Sequence, residues 1–225
     1  MVADEVHSLL ILADGMGGHK AGEMASRLAV DSVLQSLQDW LGKCTEQTIS
    51  RNLKKAVIRF VHKANNQIYL ESLLDYEKYG MGTTIVVAVV RKNKLTFAHV
   101  GDSRAYLLRD KSLIRLTVDH SRVQEQINNG IITLEQSVKS PLRNFLTRAL
   151  GTSKEVQVDA QQIVLNRDDK ILLCSDGLTD MLNDHDIEKT LNKGLTLEKS
   201  ITELINGANA AGGLDNISVA LGVAL

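Results

Sequence analysis

The chain has one proline, two cysteines and no apolar run near the about 18 residues that a membrane helix needs. With a single proline and no low-complexity tract there is no linker. The 225 residues therefore read as one domain, 1–225, long enough to bury a sizeable core. Cys44 and Cys174 are far apart and form no C-x-x-C pair. Cys174 lies inside an apolar run and reads as an inert core residue, which fits a reducing, cytoplasmic setting. The short apolar runs exclude a transmembrane helix, and the first residues lack the pattern of a signal peptide. An excess of one charge is also missing. The net charge is −1 with 24% charged residues, which argues against a nucleic-acid or membrane surface.

What the chain does have is a set of aspartates in one recurring setting. Leu9 to Ala13 runs into Asp14-Gly15-Met16-Gly17-Gly18-His19. Phe97 to Gly101 runs into Asp102-Ser103-Arg104, and Ile171 to Ser175 runs into Asp176-Gly177. Asp215 lies between Gly212-Gly213-Leu214 and Asn216, just before the strand-like Ile217 to Leu221. Buried strands that end in carboxylates gather those carboxylates at one edge of a sheet. Oxygen-only clusters of that kind hold hard cations such as Mg²⁺ or Mn²⁺. A lone Asp-Gly is ordinarily a turn, in which Asp caps and Gly supplies a positive φ. Only the repetition lifts the pattern above that.

The periodicity predicts helices over about Gly22 to Leu41 and Ile49 to Leu74, with apolar residues at i, i+4 spacing. Strands are predicted over about His7–Ala13, Thr83–Val90, Leu95–Val100, Ala105–Leu108, Leu113–Thr117, Lys170–Cys174 and Ile217–Val223. Two further helices fall near Asp184–Asn192 and Leu197–Asn209. Asp4 and Glu5 fit a turn before the first strand. Strand blocks flanked by helix pairs predict an α+β fold, two sheets packed face to face with helices outside. The stretch from about 119 to 158 is weakly patterned, with one short helix at Ser121–Asn128 closed by Asn129-Gly130.

Six stretches, in order, resemble the metal-dependent serine/threonine protein phosphatases of the type 2C family in their bacterial form. They are ADGMGGHKAGEMAS (13–26), GMGTTIVVAVV (80–90), HVGDSRAYLLRDKSLIRLTVDHS (99–121), RNFLTRALG (143–151), LLCSDGLTDML (172–182) and GGLDNISVAL (212–221). The resemblance implies a four-layer α-β-β-α sandwich of two antiparallel sheets, with a flap subdomain at about 119–158. It implies two ions, Mn²⁺ or Mg²⁺, held by Asp14, the Gly15 carbonyl, Asp176 and Asp215, and a third ion at Asp102. A water activated by those ions then hydrolyses a phosphoserine or phosphothreonine, with no nucleophilic side chain. Asp14 and Asp176 carry the catalysis, and His19 is a candidate acid for the leaving oxygen. The partners implied are phosphorylated proteins, products of a Ser/Thr kinase, met by a monomer.

Each assignment has a plainer competitor. Asp102 could simply cap the hairpin begun by Ser103-Arg104, His19 could face solvent in a loop, and 119–158 could be an ordinary surface insertion. Asn216 is expected to orient Asp215. His120 is a weaker site candidate, and His7, His62, His99 and His185 read as structural or surface residues. The family's first strand carries an Arg and an N-E-D or N-Q-D triplet, whereas the 13 residues before Asp14 contain no Arg. On that ground turnover by this chain is expected to be reduced, and the sheet is expected to show a bare edge. The second functional reading follows from the same departure: a pseudophosphatase or a regulatory phosphopeptide-binding domain. An aspartyl-phosphate phosphotransferase fits poorly, because Asp14-Gly15-Met16 lacks a second Asp.

Overall fold

The computed structural model describes residues 1–17, 19–74, 78–137 and 140–225, with the backbone alone at residue 19. One sheet has five strands, in the order β1 (Val2–Asp4), β2 (Leu9–Leu12), β5 (Ile85–Arg91), β6 (Lys94–Val100) and β9 (Asp159–Val164). The other has four, in the order β11 (Val219–Val223), β10 (Lys170–Cys174), β7 (Arg104–Arg109) and β8 (Ser112–Arg115). All the pairings are antiparallel. A small third pairing joins β3 (Gly15–Met16) to β4 (Gly82–Thr83).

Alternation along the strands builds the layers. In β5, Ile85, Val87 and Val89 face the helices α1 (His19–Lys43) and α2 (Glu46–Leu74), while Val86 and Ala88 face the other sheet. In β10, Ile171 and Leu173 join that same middle layer. Leu172 and Cys174 point the other way, onto α5 (Asp176–Thr179), α6 (Asp184–Leu191) and α7 (Leu197–Ala210). Three apolar layers thus separate four layers of structure, and the fold is the expected α-β-β-α sandwich. Emptying one such position, for example Leu173→Ala, costs about 2–5 kcal/mol.

Two tight turns join neighbouring strands. Arg91↔Lys94 and Arg109↔Ser112 close two-residue hairpins. Asp110 and Lys111 both take positive φ, as a type I′ turn requires. Several elements differ from expectation. Helix α1 begins three residues earlier than Gly22. Asp4 is the last residue of a strand as well as part of a turn: it pairs with Leu9, and its carboxylate accepts from the His7 backbone N–H at 3.0 Å. The last strand starts at Val219 rather than Ile217. Strand β9 was not expected, because its sequence DAQQIV is polar and half exposed.

The stretch after Asp119 leaves the sheets and returns. It contains α3 (Arg122–Asn128), N-capped by Ser121 as its sequence suggests, and α4 (Leu134–Ser137). Its two ends are laced together: Arg122 N–H donates to the Phe145 carbonyl, and Thr147 N–H donates to the His120 carbonyl at 2.8 Å.

Candidate metal centre

Asp14 leaves β2 and Asp176 opens α5 directly after β10. Because β2 and β10 belong to different sheets and face each other, the two carboxyls arrive from opposite sides of the sandwich. The two carboxyls interact, and Asp176 favours its protonated form. Burial is the chief cause, and the charges of Asp102, Asp14 and Asp180 add to it, so that the Asp176 carboxyl is pushed up to about 8. Burial also raises Asp14, with Asp215 adding to the rise. Asp102 lies in the bend from β6 to β7 and is pushed up to about 7 by burial, then by Asp119. The other Asp176 oxygen, Oδ1, is buried with no hydrogen-bond partner.

Those observations test whether a divalent cation suits the residues present. The donors are all oxygens, the negative charge exceeds what nearby side chains neutralise, and one carboxylate oxygen is buried and unpaired. Carboxyls in that condition hold protons until a cation replaces them. The residues fit. Asp215 is exposed, and its Oδ1 accepts from the Asn216 N–H at 2.7 Å. Asn216 therefore orients Asp215 through its backbone. Among the described residues, no three of the four acids bring ligand atoms all within 4.8 Å of one another.

The backbone that carries the acids is held by residues that sequence reasoning passed over. The Asp14 N–H donates to Thr84 Oγ1 at 3.0 Å, and the Asp14 carbonyl accepts from Thr84 N–H at 2.8 Å and Thr83 Oγ1 at 2.7 Å. Thr84 Oγ1 also meets Ser103 Oγ at 2.7 Å, which links the Asp14 turn to the Asp102 turn. Ser175 does the same on the other sheet. Its Oγ donates to the Asn216 carbonyl at 3.1 Å and accepts from Ser218 N–H at 3.0 Å. The only signal for these hydroxyls was their place beside the acids, in GMGTT, GDSR and CSDG.

Two glycines are required by close approach. A Cβ on Gly15 would stand 2.0 Å from the Gly22 carbonyl oxygen, so this glycine is dictated by α1 packing on it. A Cβ on Gly177 would stand 2.3 Å from the Asn216 carbonyl oxygen, which would force the Asp215 loop away. The remaining candidates separate. His19 opens α1, and its side chain lies outside the described residues. His120 sits behind Gly101 and bonds to its N–H. Cys174 is fully buried and its thiol is pushed up to about 12, so it is not a nucleophile.

Residues 1–221 match the sequence pattern described as protein phosphatase 2C. The chain belongs to the protein phosphatase 2C family. Its relatives include the serine/threonine phosphatase stp of Listeria welshimeri, 39% identical over 213 residues, 95% of this chain and 83% of the relative. The crystal structure of the Mycobacterium tuberculosis serine/threonine phosphatase PstP/Ppp superposes with a TM-score of 0.85 at 36% identity, covering 95% of this chain and 86% of that one. The catalytic domain of the phosphatase PstP in complex with two manganese ions superposes with a TM-score of 0.82 at 35% identity, covering 95% of this chain and 85% of that one. For a type 2C chain with its carboxylates intact, a purely phosphopeptide-binding role is the less favoured reading.

Proposed function

We propose that the carboxylates at this sandwich edge hold two divalent cations, Mn²⁺ or Mg²⁺, through Asp14, the Gly15 carbonyl, Asp176 and Asp215, with a third at Asp102. As a member of its family the chain is a metal-dependent serine/threonine protein phosphatase, and its substrates are phosphoproteins. The observation that carries the site reading is the interacting Asp14–Asp176 pair, with Asp176 raised by burial and one of its oxygens buried and unpaired. When bound, the ions supply positive charge to the phosphoryl oxygens and acidify a water.

The chain's own residues do the rest. Asp176 gives up its proton as the site fills, and the hydroxyls of Thr84 and Ser175 keep the two turns in register. No side chain is needed as nucleophile, since the Cys174 thiol stays protonated. His19, at the start of α1, is the proposed acid for the leaving serine or threonine oxygen. The excursion at 119–158 is proposed as the flap over the site. A Ser/Thr kinase as the supplier of substrates, a monomeric state and a cytoplasmic location belong to the same proposal. Free thiols at Cys44 and Cys174 are consistent with a reducing compartment.

The test is phosphate release from a phosphothreonine peptide in Mn²⁺, by the parent chain and by Asp176→Asn. Metal-dependent release that collapses in the variant supports the site. Equal turnover in both would refute it.

A further inference from the structure

Behind the Asp102 turn lies a second polar cluster, formed by the buried His99 and His120 and the half-exposed Asp159, with ligand atoms all within 4.8 Å of one another. Its hydrogen bonds decide what it is. His120 Nδ1 accepts from the Gly101 N–H at 3.1 Å. A neutral imidazole that accepts at one nitrogen carries its proton on the other. Nε2–H therefore donates to Asp159 Oδ2 at 3.1 Å, and Asp159 Oδ1 accepts from Arg148 at 3.0 Å. The His99 and His120 rings stack at 4.5 Å with an interplanar angle of 18°. A zinc ion sits in the plane of each imidazole that binds it, at about 2.0–2.1 Å. Two nearly parallel rings cannot both meet one ion in that way, and both nitrogens of His120 are already used. The cluster is not a metal site.

What it does instead is grip a backbone. The His120 backbone N–H donates to the Gly101 carbonyl at 3.0 Å, while the ring takes the Gly101 N–H. Both polar groups of the residue before Asp102 thus belong to His120. The His120 carbonyl accepts from Thr147 N–H at 2.8 Å, on the returning arm of the 119–158 excursion. Arg148, next to Thr147, closes the circuit through Asp159.

We propose that His120 is a positioning residue that fixes the Gly101–Asp102 turn and ties it to the exit of the flap at Thr147, so that flap seating and Asp102 placement move together. The proposal rests on the reading of Asp102 as a ligand for a third ion. His120 touches no reacting atom; it acts through Gly101.

The test compares the parent chain with His120→Phe, which keeps the ring stack and removes both nitrogens. It adds His120→Asn, which sets an amide oxygen near the Nδ1 position. Amide hydrogen exchange is read at Gly101 and Thr147, and kcat is measured on p-nitrophenyl phosphate across a Mn²⁺ titration. In His120→Phe the Gly101 amide should exchange at least about tenfold faster. The kcat should fall by about 10–100-fold with KM little changed, and His120→Asn should restore most of it. In an Asp102→Asn background His120→Phe should cost nothing further. Parental Gly101 protection in the Phe variant, or its full kcat loss repeated on top of Asp102→Asn, would overturn the proposal. If the Phe variant does not fold, Asp159→Ala loosens the grip from the far side and should speed the same amide, whereas a parental rate refutes the clamp. If the parent shows no Mn²⁺-dependent turnover, the phosphatase reading fails by itself, while the exchange rates still decide the clamp.

Discussion

Thr84 Oγ1 and Ser103 Oγ meet at 2.7 Å, and Thr84 Oγ1 also takes the Asp14 N–H. Both residues are almost fully buried. One hydroxyl pair therefore carries the relative position of two acidic turns that lie 88 residues apart (Asp14 and Asp102).

Thr84→Val keeps the shape and removes that link. It leaves the Asp14 N–H and the Ser103 hydroxyl buried and unpaired, at a cost of about 1–3 kcal/mol. Metal-dependent turnover should fall by about 10–100-fold, as for other residues that orient metal ligands. Thr84→Ser should retain most of both. Urea melts and kcat/KM on the same samples check this, and a Val variant with parental values would show that the link is idle.

Metal binding should release protons. At pH 7 Asp176, at about 8, is mostly protonated, and Asp102, at about 7, is half so. Mn²⁺ must displace those protons, so affinity weakens as pH falls from 8 to 6. Calorimetry in two buffers of different ionisation enthalpy should report on the order of one proton released per chain at pH 7, and fewer at pH 9. Asp176→Asn should bind Mn²⁺ far more weakly and lose most of that release.

Without metal, the same carboxyls make stability fall as pH rises. The folded Asp176 carboxyl titrates at about 8 against an ordinary 3.8. Between those values the folded chain binds more protons than the unfolded one, so the slope of stability against pH is negative. The penalty is absent below pH 3.8 and complete above about 8. In EDTA, melting temperature should drop between pH 6 and pH 8, and Asp176→Asn should flatten the curve. Saturating Mn²⁺ should raise the melting temperature more at pH 8 than at pH 6. A metal-free parent that gains stability over this window would contradict the assignment.

Asp102→Asn separates a ligand from a cap. If Asp102 capped a turn, its loss would cost about 1 kcal/mol and leave turnover near normal. Its carboxyl is instead held up by burial and by Asp119, so removing the charge should not lower the metal-free melting temperature at pH 8. As a ligand for the third ion, it should lower kcat by up to about 10²-fold. Melting and steady-state kinetics on one preparation decide between the two.

Much of this was legible in the sequence, and the parts that were not share a cause. Lys170–Cys174 is apolar, bounded and ends at Ser175-Asp176, so its strand is read to the residue. The buried faces of α1 and α2 follow their helical period, and Asp14, Asp102 and Asp176 stand just past the strand ends that the pattern predicted. The strand Asp159–Val164 escaped because an edge strand needs only one half-buried face, and Gln161 and Gln162 give no alternation to read. Thr83, Thr84, Ser103 and Ser175 escaped because a hydroxyl that holds a backbone group 70 residues away leaves no local period. His120 was only a weak candidate, since its function depends on which nitrogen accepts from Gly101. Gly15 carries a requirement that no local pattern shows: α1 packs so closely that it leaves no room for a side chain there.

The residues that set the reach between Asp14 and Asp176 are not ligands. Leu12 and Leu173 lie two and three positions before them and fill the layer between the sheets. Packed sheets stand about 10 Å apart, and that hydrocarbon thickness is the ruler for the gap that the carboxylates span. Trimming or adding one methylene at Leu173 should therefore shift the two acidic turns relative to each other, without touching an oxygen. In this architecture the spacing of the two turns rests partly on the volume of leucine.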